Sequence, residues 1–287
     1  MILGFTGNPL DRADRLRHDP DALAALLPEA RLLRLDALMP RTDGAGGLAW
    51  TGMADFPAEA QPILLGLIDG RAHVAALPTA PATGTAPAMR SPELMALLAA
   101  LRPGEAAIYA AARSLIDWHA RHRFCANCGT PTDPFRAGWG RQCSACGADH
   151  FPRVDPVVIM LAEHDGRALL GRGRNWPAGR YSALAGFVEP AESIEEAVAR
   201  EVLEETGVPV AEVRYVASQP WPFPSQLMIA CTATALDPAL SIDRAELEDA
   251  IWVTREEVRA ALAGEPGRFV APPPYAIAHT LLARWAG

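Results

Sequence analysis

The chain has 287 residues, half of them apolar and 21% charged, with a formal net charge of −8. The apolar share supports a real core and the length accommodates two domains, while the acidic balance argues against a protein built for broad electrostatic attachment to nucleic acid. It leaves a phosphate-bearing substrate open, because a bound divalent cation reverses the local sign.

The opening MILGFTGNPLDRADRLRHDP has no basic stretch followed by an apolar run, no segment approaches membrane-spanning length, and the final ARWAG matches no address signal. The expected compartment is the cytoplasm and no membrane partner is expected. Residues 1 to about 77 read as a small α+β unit, with strands at ARLLRLDALM and PILLGLIDGRAHVAAL. Residues 78–92, rich in Pro, Ala and Thr, read as an exposed linker. Ser91-Pro92-Glu93 then starts a helix with a cap, a first-turn proline and an acid at the positive end. LMALLAAL and AAIYAAARSLIDWHARH read as two packed helices broken at Arg102-Pro103-Gly104.

Cys125, Cys128, Cys143 and Cys146 follow as C-x2-C-x14-C-x2-C, each pair trailed by glycine. Two such knuckles place four thiolates around one ion, the spacing of a structural zinc site; iron–sulfur ligation and redox cysteines are the lesser alternatives. Four thiolates leave no open position for catalysis. His119, His122 and His150 flank the ribbon and read as surface or packing residues.

From Val154 strands and helix alternate: DPVVIMLAEH, RALLGRGR, a Pro/Gly loop WPAGRYSALAGF, one long helix, then VRYVASQP, LMIACTATAL and AIWVTREEV. One helix among several strands predicts a mixed α/β sandwich. Cys231, inside an apolar strand, reads as a buried small hydrophobe. Ser193 with Glu196 forms a capping box, so the helix starts there, and Gly207 ends it. Glu201, Glu204 and Glu205 share one face of that helix, and the mutual repulsion of three like charges calls for a neutralising hard cation. An acid from outside the helix is expected to complete such a site, with Glu246, Glu248 and Asp249 available downstream.

The string Gly186, Glu192, Arg200, Glu201, Val202, Glu204, Glu205, Gly207, Val208 fits G-x5-E-x7-R-E-U-x-E-E-x-G-U, with U a bulky aliphatic. It resembles the Nudix box without a mismatch. SQPWPFP, downstream of the box, resembles the mark of the NADH pyrophosphatase subfamily, and the resemblance spans nearly the whole chain. It implies an α+β protein: a Nudix-like N-terminal α+β domain (1–120), a zinc ribbon (121–153) and a C-terminal Nudix α/β/α sandwich (154–287). The implied reaction is cleavage of NAD(H) at the pyrophosphate into AMP and nicotinamide mononucleotide; some members also remove NAD caps from RNA. Mg2+ or Mn2+ would be catalytic, Zn2+ structural at one per chain, and the enzyme a homodimer.

Carried over residue by residue, the resemblance makes Glu201 and Glu205 the principal metal ligands, with Glu246 and the Ala185 carbonyl completing the set, and Glu204 a further ligand or water-orienting group. Glu192 and Arg200 pair to hold the loop and helix together. Phe151 and Phe187 stack the adenine, from different protomers, and substrate contacts run through Gln219, Pro220, Trp221, Pro222, Phe223, Pro224, Ser225 and Gln226, with another at Ala278. Prolines pre-set that stretch, Trp221 and Phe223 line an apolar wall and Gln219 offers an amide. Gln226 stands where the subfamily pattern has serine. Two other readings are open: a Nudix hydrolase for ADP-ribose, diadenosine compounds or nucleotide sugars, and a zinc-ribbon module that binds RNA or protein on an inactive Nudix scaffold.

Overall fold

The computed structural model describes residues 4–78 and 90–287, so most of the expected linker at 78–92 lies outside the described residues. The chain divides into two units. One comprises Phe5–Val154 with Trp221–Ser225, and the other Met1–Gly4, Asp155–Pro220 and Gln226–Gly287.

The first unit contains α1 (Pro20–Leu26), β1 (Arg31–Leu33), β2 (Leu35–Asp36), β3 (Met39–Pro40), β4 (Trp50–Thr51), β5 (Ala60–Ile68), β6 (Arg71–Pro78), α2 (Pro92–Ala100) and α3 (Glu105–Arg121). The expected strand at ARLLRLDALM is three short pieces, and PILLGLIDGRAHVAAL is a hairpin turning at Asp69-Gly70. A sheet ordered β4-β1-β6-β5 buries Leu32, Leu64 and Val74. Ser91 caps α2 by accepting from the Leu94 amide, which is what Ser-Pro-Glu predicts.

Three strands build the ribbon: β7 (Thr132–Phe135), β8 (Gly140–Cys143) and β9 (Asp149–His150). The two knuckles repeat one hydrogen-bond pattern, Gly129 N–H to the Cys125 carbonyl and Gly147 N–H to the Cys143 carbonyl, each 2.9 Å. Both glycines have positive φ, 76° and 72°, a conformation costly for any side chain. A buried polar cluster ties ribbon to α3. Arg141 donates to the Thr132 hydroxyl at 2.8 Å, and its guanidinium stands 3.0 Å from His119 Nδ1. His119 Nε2 lies 2.9 Å from the Gly138 carbonyl, and burial holds the imidazole down to about 4, hence neutral.

The second unit is a six-stranded sheet covered on both faces. Its strands are β10 (Asp155–His164), β11 (Arg167–Gly173), β12 (Leu184–Phe187), β13 (Val210–Trp221), β14 (Gln226–Ala235) and β15 (Leu247–Thr254). The path runs β13-β14-β10-β11-β15, with β12 on β10. The helices are α4 (Ile194–Thr206), α5 (Arg255–Leu262) and α6 (Ile277–Ala286). β10 explains the unbroken run VVIML: Val158 and Met160 pack with Val198 and Val202 of α4, while Ile159 and Leu161 pack with Leu281 and Trp285 of α6. A strand buried on both faces has no polar alternation to keep.

Two features depart from the sequence reading. The loop WPAGRYSALAGF ends in a strand, because Leu184–Phe187 pairs with Val157–Met160 and so satisfies backbone groups that β10 would otherwise leave open. The sandwich also has three helices rather than one; α5 and α6 supply the second apolar face. Cys231 is fully buried, as expected. The predicted capping box is present, the Ser193 hydroxyl accepting from Glu196 N–H at 3.2 Å and the Glu196 carboxylate from Ser193 N–H at 2.7 Å. Ser193→Ala should therefore lower stability by about 1 kcal/mol, measured as a drop in thermal midpoint with the helical circular dichroism otherwise unchanged.

Candidate functional site

Among the described residues, two groups of side chains could hold a metal ion: Cys125, Cys128, Cys143 and Cys146, and Glu201, Glu205 and Glu246. In each, the ligand atoms lie within 4.8 Å of one another.

The cysteines approach as Cys125–Cys146 at 3.6 Å and Cys128–Cys143 at 3.5 Å between sulfurs, all four unbridged. A tetrahedral ion with metal–sulfur bonds of about 2.3 Å needs edges of about 3.8 Å, so the set fits a closed zinc site. Asn127 N–H points at Cys125 Sγ at 3.4 Å, and His150 Nε2 stands 3.3 Å from the same sulfur. His119 and His122 serve packing, the second against the Trp118 carbonyl. His150 instead touches the Cys125 sulfur, in the manner of the outer partners that orient metal ligands.

The carboxylate group is built on α4. Its buried stripe is Ala197, Val198, Glu201, Val202, Glu205 and Thr206, so two glutamates one turn apart ride on the edge that packs against the sheet. Glu204 does not join them: it is exposed and pairs with Arg200 Nη1 at 3.0 Å. The three acids expected on one face thus divide into two buried and one at the rim, because the i+4 position stays on the packing stripe while the i+3 position falls beside it.

Glu201 lies over Gly186 of β12, where a Cβ would meet its carboxylate carbon at 1.9 Å. Only glycine leaves that space. Arg200 fastens the neighbourhood by a fork, Nε to Glu192 Oε1 at 2.7 Å and Nη2 to Glu192 Oε2 at 2.9 Å, while Nη1 reaches Glu201 at 2.9 Å and Nη2 the Phe187 carbonyl at 2.8 Å. That guanidinium pulls the Glu192 carboxyl down to about 2. Glu201 is raised all the same, burial outweighing the arginine.

Glu246 arrives from the loop after β14, and the backbone explains how. The end of α4 leaves carbonyls without helical partners. Thr206 O accepts from Ser241 N–H at 2.8 Å and Glu205 O from Asp243 N–H at 3.0 Å, which draws the loop onto the helix. The other two candidate acids are engaged elsewhere: Glu248 pairs with Arg172 at 3.2 Å and Asp249 accepts from the Tyr181 hydroxyl.

Glu205 is the most perturbed of the three. It is buried, and its Oε2 has no hydrogen-bond partner among the described residues. Burial first, then the charges of Glu201 and Glu246, push its carboxyl up to about 8. An orphaned oxygen beside two further carboxylates is the environment a hard divalent cation satisfies. Glu201, Glu205 and Glu246 therefore fit such an ion.

Several residues expected to meet substrate are placed otherwise. The Gln219 side chain is fully buried: its Nε2 donates to the Gly4 and Tyr275 carbonyls at 2.9 and 2.8 Å, and its Oε1 accepts from Ile277 N–H at 2.9 Å. The amide expected to face a ligand instead fastens the segment before α6. The Ala278 side chain is likewise core, 4% exposed and packed in the α6 cluster. Of SQPWPFPSQLM, only Pro222–Ser225 is turn; the residues up to Trp221 belong to β13, with Pro220 exposed, and Gln226 opens β14 opposite Asp155. Trp221 and Phe223 are half-buried, edge-to-face at 5.4 Å, with Phe5 against both. Phe187 and Phe151 are each about half exposed, the latter beside Phe135 and beneath Arg136. Ala185 sits in β12 opposite Ile159.

Residues 152–271 match the NUDIX domain, residues 120–151 the NADH pyrophosphatase zinc ribbon domain, and residues 20–118 the NADH pyrophosphatase-like rudimentary NUDIX domain. The chain is 41% identical over 290 residues to the NAD-capped RNA hydrolase NudC of Mycobacterium bovis (strain BCG / Pasteur 1173P2), covering 96% of this chain and 92% of that protein. It is 48% identical over 205 residues to the NAD-capped RNA hydrolase NUDT12 of Homo sapiens, covering 68% of this chain and 44% of that protein. A crystal structure of a NUDIX hydrolase from Nitrosomonas europaea aligns with a TM-score of 0.45 at 24% identity, covering 57% of this chain and 90% of that one. The chain belongs to the NADH pyrophosphatase subfamily of the Nudix hydrolases. Among the described residues no helix is long and apolar enough to cross a membrane.

The Glu205 shift has a consequence for stability. A carboxyl whose folded-state pKa lies above its unfolded value binds its proton more tightly when folded, so its contribution is complete below about 4.5 and lost as pH rises through about 8. Protein dialysed free of magnesium and manganese should lose several degrees of thermal midpoint between about pH 5 and pH 9 relative to Glu205→Gln, whose midpoint lacks that component. Differential scanning calorimetry of the two proteins across this range measures it.

Proposed function

We propose that the chain is a divalent-metal-dependent pyrophosphohydrolase that splits NADH or NAD+ into AMP and the matching nicotinamide mononucleotide, and removes NAD caps from RNA by cleaving the same bond. The observation that carries this reading is the trio Glu201, Glu205 and exposed Glu246, with one orphaned oxygen on buried Glu205, in a chain 41% identical to a NAD-capped RNA hydrolase.

In this reading Glu201, Glu205 and Glu246, with the Ala185 carbonyl, hold Mg2+ or Mn2+. Such ions, when bound, screen pyrophosphate charge, stabilise the departing oxygen and lower the pKa of an attacking water. The chain's own residues orient and bind. Arg200 holds Glu201 in place over Gly186, Glu205 would have to be deprotonated to hold the ion, and Glu204 stands at the rim where it would orient water. Phe151 and Phe187 offer stacking faces to adenine. Pro220, Trp221, Pro222, Phe223, Pro224, Ser225 and Gln226 form a substrate wall whose backbone is pre-set by proline, lowering the ordering cost on binding. The side chains of Gln219 and Ala278 are buried and are left out of that wall.

Cys125, Cys128, Cys143 and Cys146 hold one structural Zn2+ per chain. The division into an N-terminal domain (1–120), ribbon (121–153) and catalytic domain (154–287), the homodimer and the cytoplasmic setting complete the reading; a cysteine pattern that serves metal suits a reducing compartment.

Glu205→Gln should lower kcat for NADH by about a thousandfold with zinc content unchanged; undiminished turnover would overturn the metal assignment. A panel of NADH, NAD+, NAD-capped RNA, ADP-ribose and diadenosine compounds with either ion should yield AMP and nicotinamide mononucleotide from the first two and remove the cap from the third. Cleavage confined to ADP-ribose or diadenosine compounds contradicts the substrate proposed. Cys143→Ser should lose about one zinc per chain by elemental analysis and lower the thermal midpoint.

A further inference from the structure

The turn Trp221–Ser225 has a supply problem. Pro222 and Pro224 have no N–H, and Pro220 precedes them, so the segment can be anchored chiefly through its carbonyls, which need donors from elsewhere in the chain. Those donors come from α3. Arg113, 2% exposed, donates from Nε to the Pro222 carbonyl at 2.8 Å, across 109 residues of sequence. Its guanidinium carbon lies 4.8 Å from the centre of the Phe223 ring. The next residue, Ser114, donates its hydroxyl to the Pro224 carbonyl at 3.4 Å. Arg113 is itself fixed by a hydrogen bond to the Tyr109 oxygen, and Tyr109 donates to the Leu38 carbonyl at 2.8 Å. Two alternate carbonyls of the turn and the aromatic ring between them are thus held by one helix edge.

Burying a guanidinium is costly, and a carbonyl alone could be met by a neutral donor. What an arginine adds is a planar group that donates along its edge while its face covers an aromatic ring. Pro222 O and Phe223 present that combination. We propose that Arg113 is a positioning residue for the reaction: through it, the rudimentary N-terminal domain sets the shape of the Trp221–Ser225 turn that binds the dinucleotide. This rests on the reading of that turn as a substrate wall.

The test uses the full-length, zinc-loaded protein and four variants: Arg113→Met, Arg113→Lys, Phe223→Ala and the Arg113→Met/Phe223→Ala double. Zinc content and thermal midpoint establish folding, steady-state kinetics with NADH give kcat and KM, and hydrogen exchange reports on the peptide spanning the turn. Arg113→Met should raise KM about tenfold with kcat changed less than about threefold, the pattern of lost binding rather than lost chemistry. Exchange in the turn peptide should quicken while the α4 peptides keep their protection. Arg113→Lys, which keeps the charge but not the edge-and-face geometry, should fall between. Phe223→Ala should raise KM similarly, and the double variant no further than the larger single, because both remove one arrangement.

A folded Arg113→Met with normal KM and normal exchange, alongside a raised KM in Phe223→Ala, overturns the role of Arg113 and leaves the substrate wall standing. Faster exchange with KM unchanged in every variant overturns the substrate wall, and with it any role for Arg113 in the reaction. A lower midpoint and lower kcat at constant KM mark Arg113 as structural only and also overturn the proposal. Should Arg113→Met fail to fold, Arg113→Lys decides: wild-type KM and exchange in it defeat the proposal.

Discussion

Two carboxylates buried together on the packing edge of one helix are the constraint around which the catalytic unit is arranged. Glu201 and Glu205 share one buried stripe with Val198 and Val202, and like charges brought out of water repel one another strongly. The surroundings offset this unevenly. Arg200 is engaged by Glu192, Glu201 and Glu204, while Glu205 keeps an oxygen without a partner among the described residues, its carboxyl pushed up to about 8. The fold stops short of neutralising the trio, and that residual demand is of the kind a hard cation meets.

Much of the nearby backbone follows from that arrangement. Gly186 is bare so that Glu201 can lie against it, β12 completes the edge of β10 to bring Gly186 there, and the loop from Ser241 reaches α4 because the helix end has carbonyls to share. Glu246 enters the cluster through main-chain hydrogen bonding three and five residues before it. The ribbon works by a different economy: two identical knuckles close on one another, and the buried pair His119 and Arg141 ties them to α3.

The proline-rich turn connects the two themes. Proline reduces what must be ordered on binding, yet it strips the segment of donors, so rigidity in the chain has to be matched by donors outside it. Arg113 and Ser114 are those donors, and their presence gives the N-terminal domain a physical connection to the turn that its own sequence does not announce.

Much of the site was legible in the chain because the signals are local. A capping box, a C-x-x-C knuckle and acids spaced by one helical turn each state their geometry within a few residues, and the box string pairs Glu192 with Arg200 at a fixed separation on a single helix–loop unit. The family pattern also pointed to Glu246 among three nearby acids. Sequence by itself thus determined the helix, its carboxylates, the cysteine tetrad and the class of enzyme. Which glutamates are buried, where the Gln219 amide points, that Ala278 is core and that Arg113 reaches Pro222 were decided by tertiary structure alone. Those facts depend on which face packs and on hydrogen bonds closed across tens to more than a hundred residues, and no local periodicity records a partner that distant.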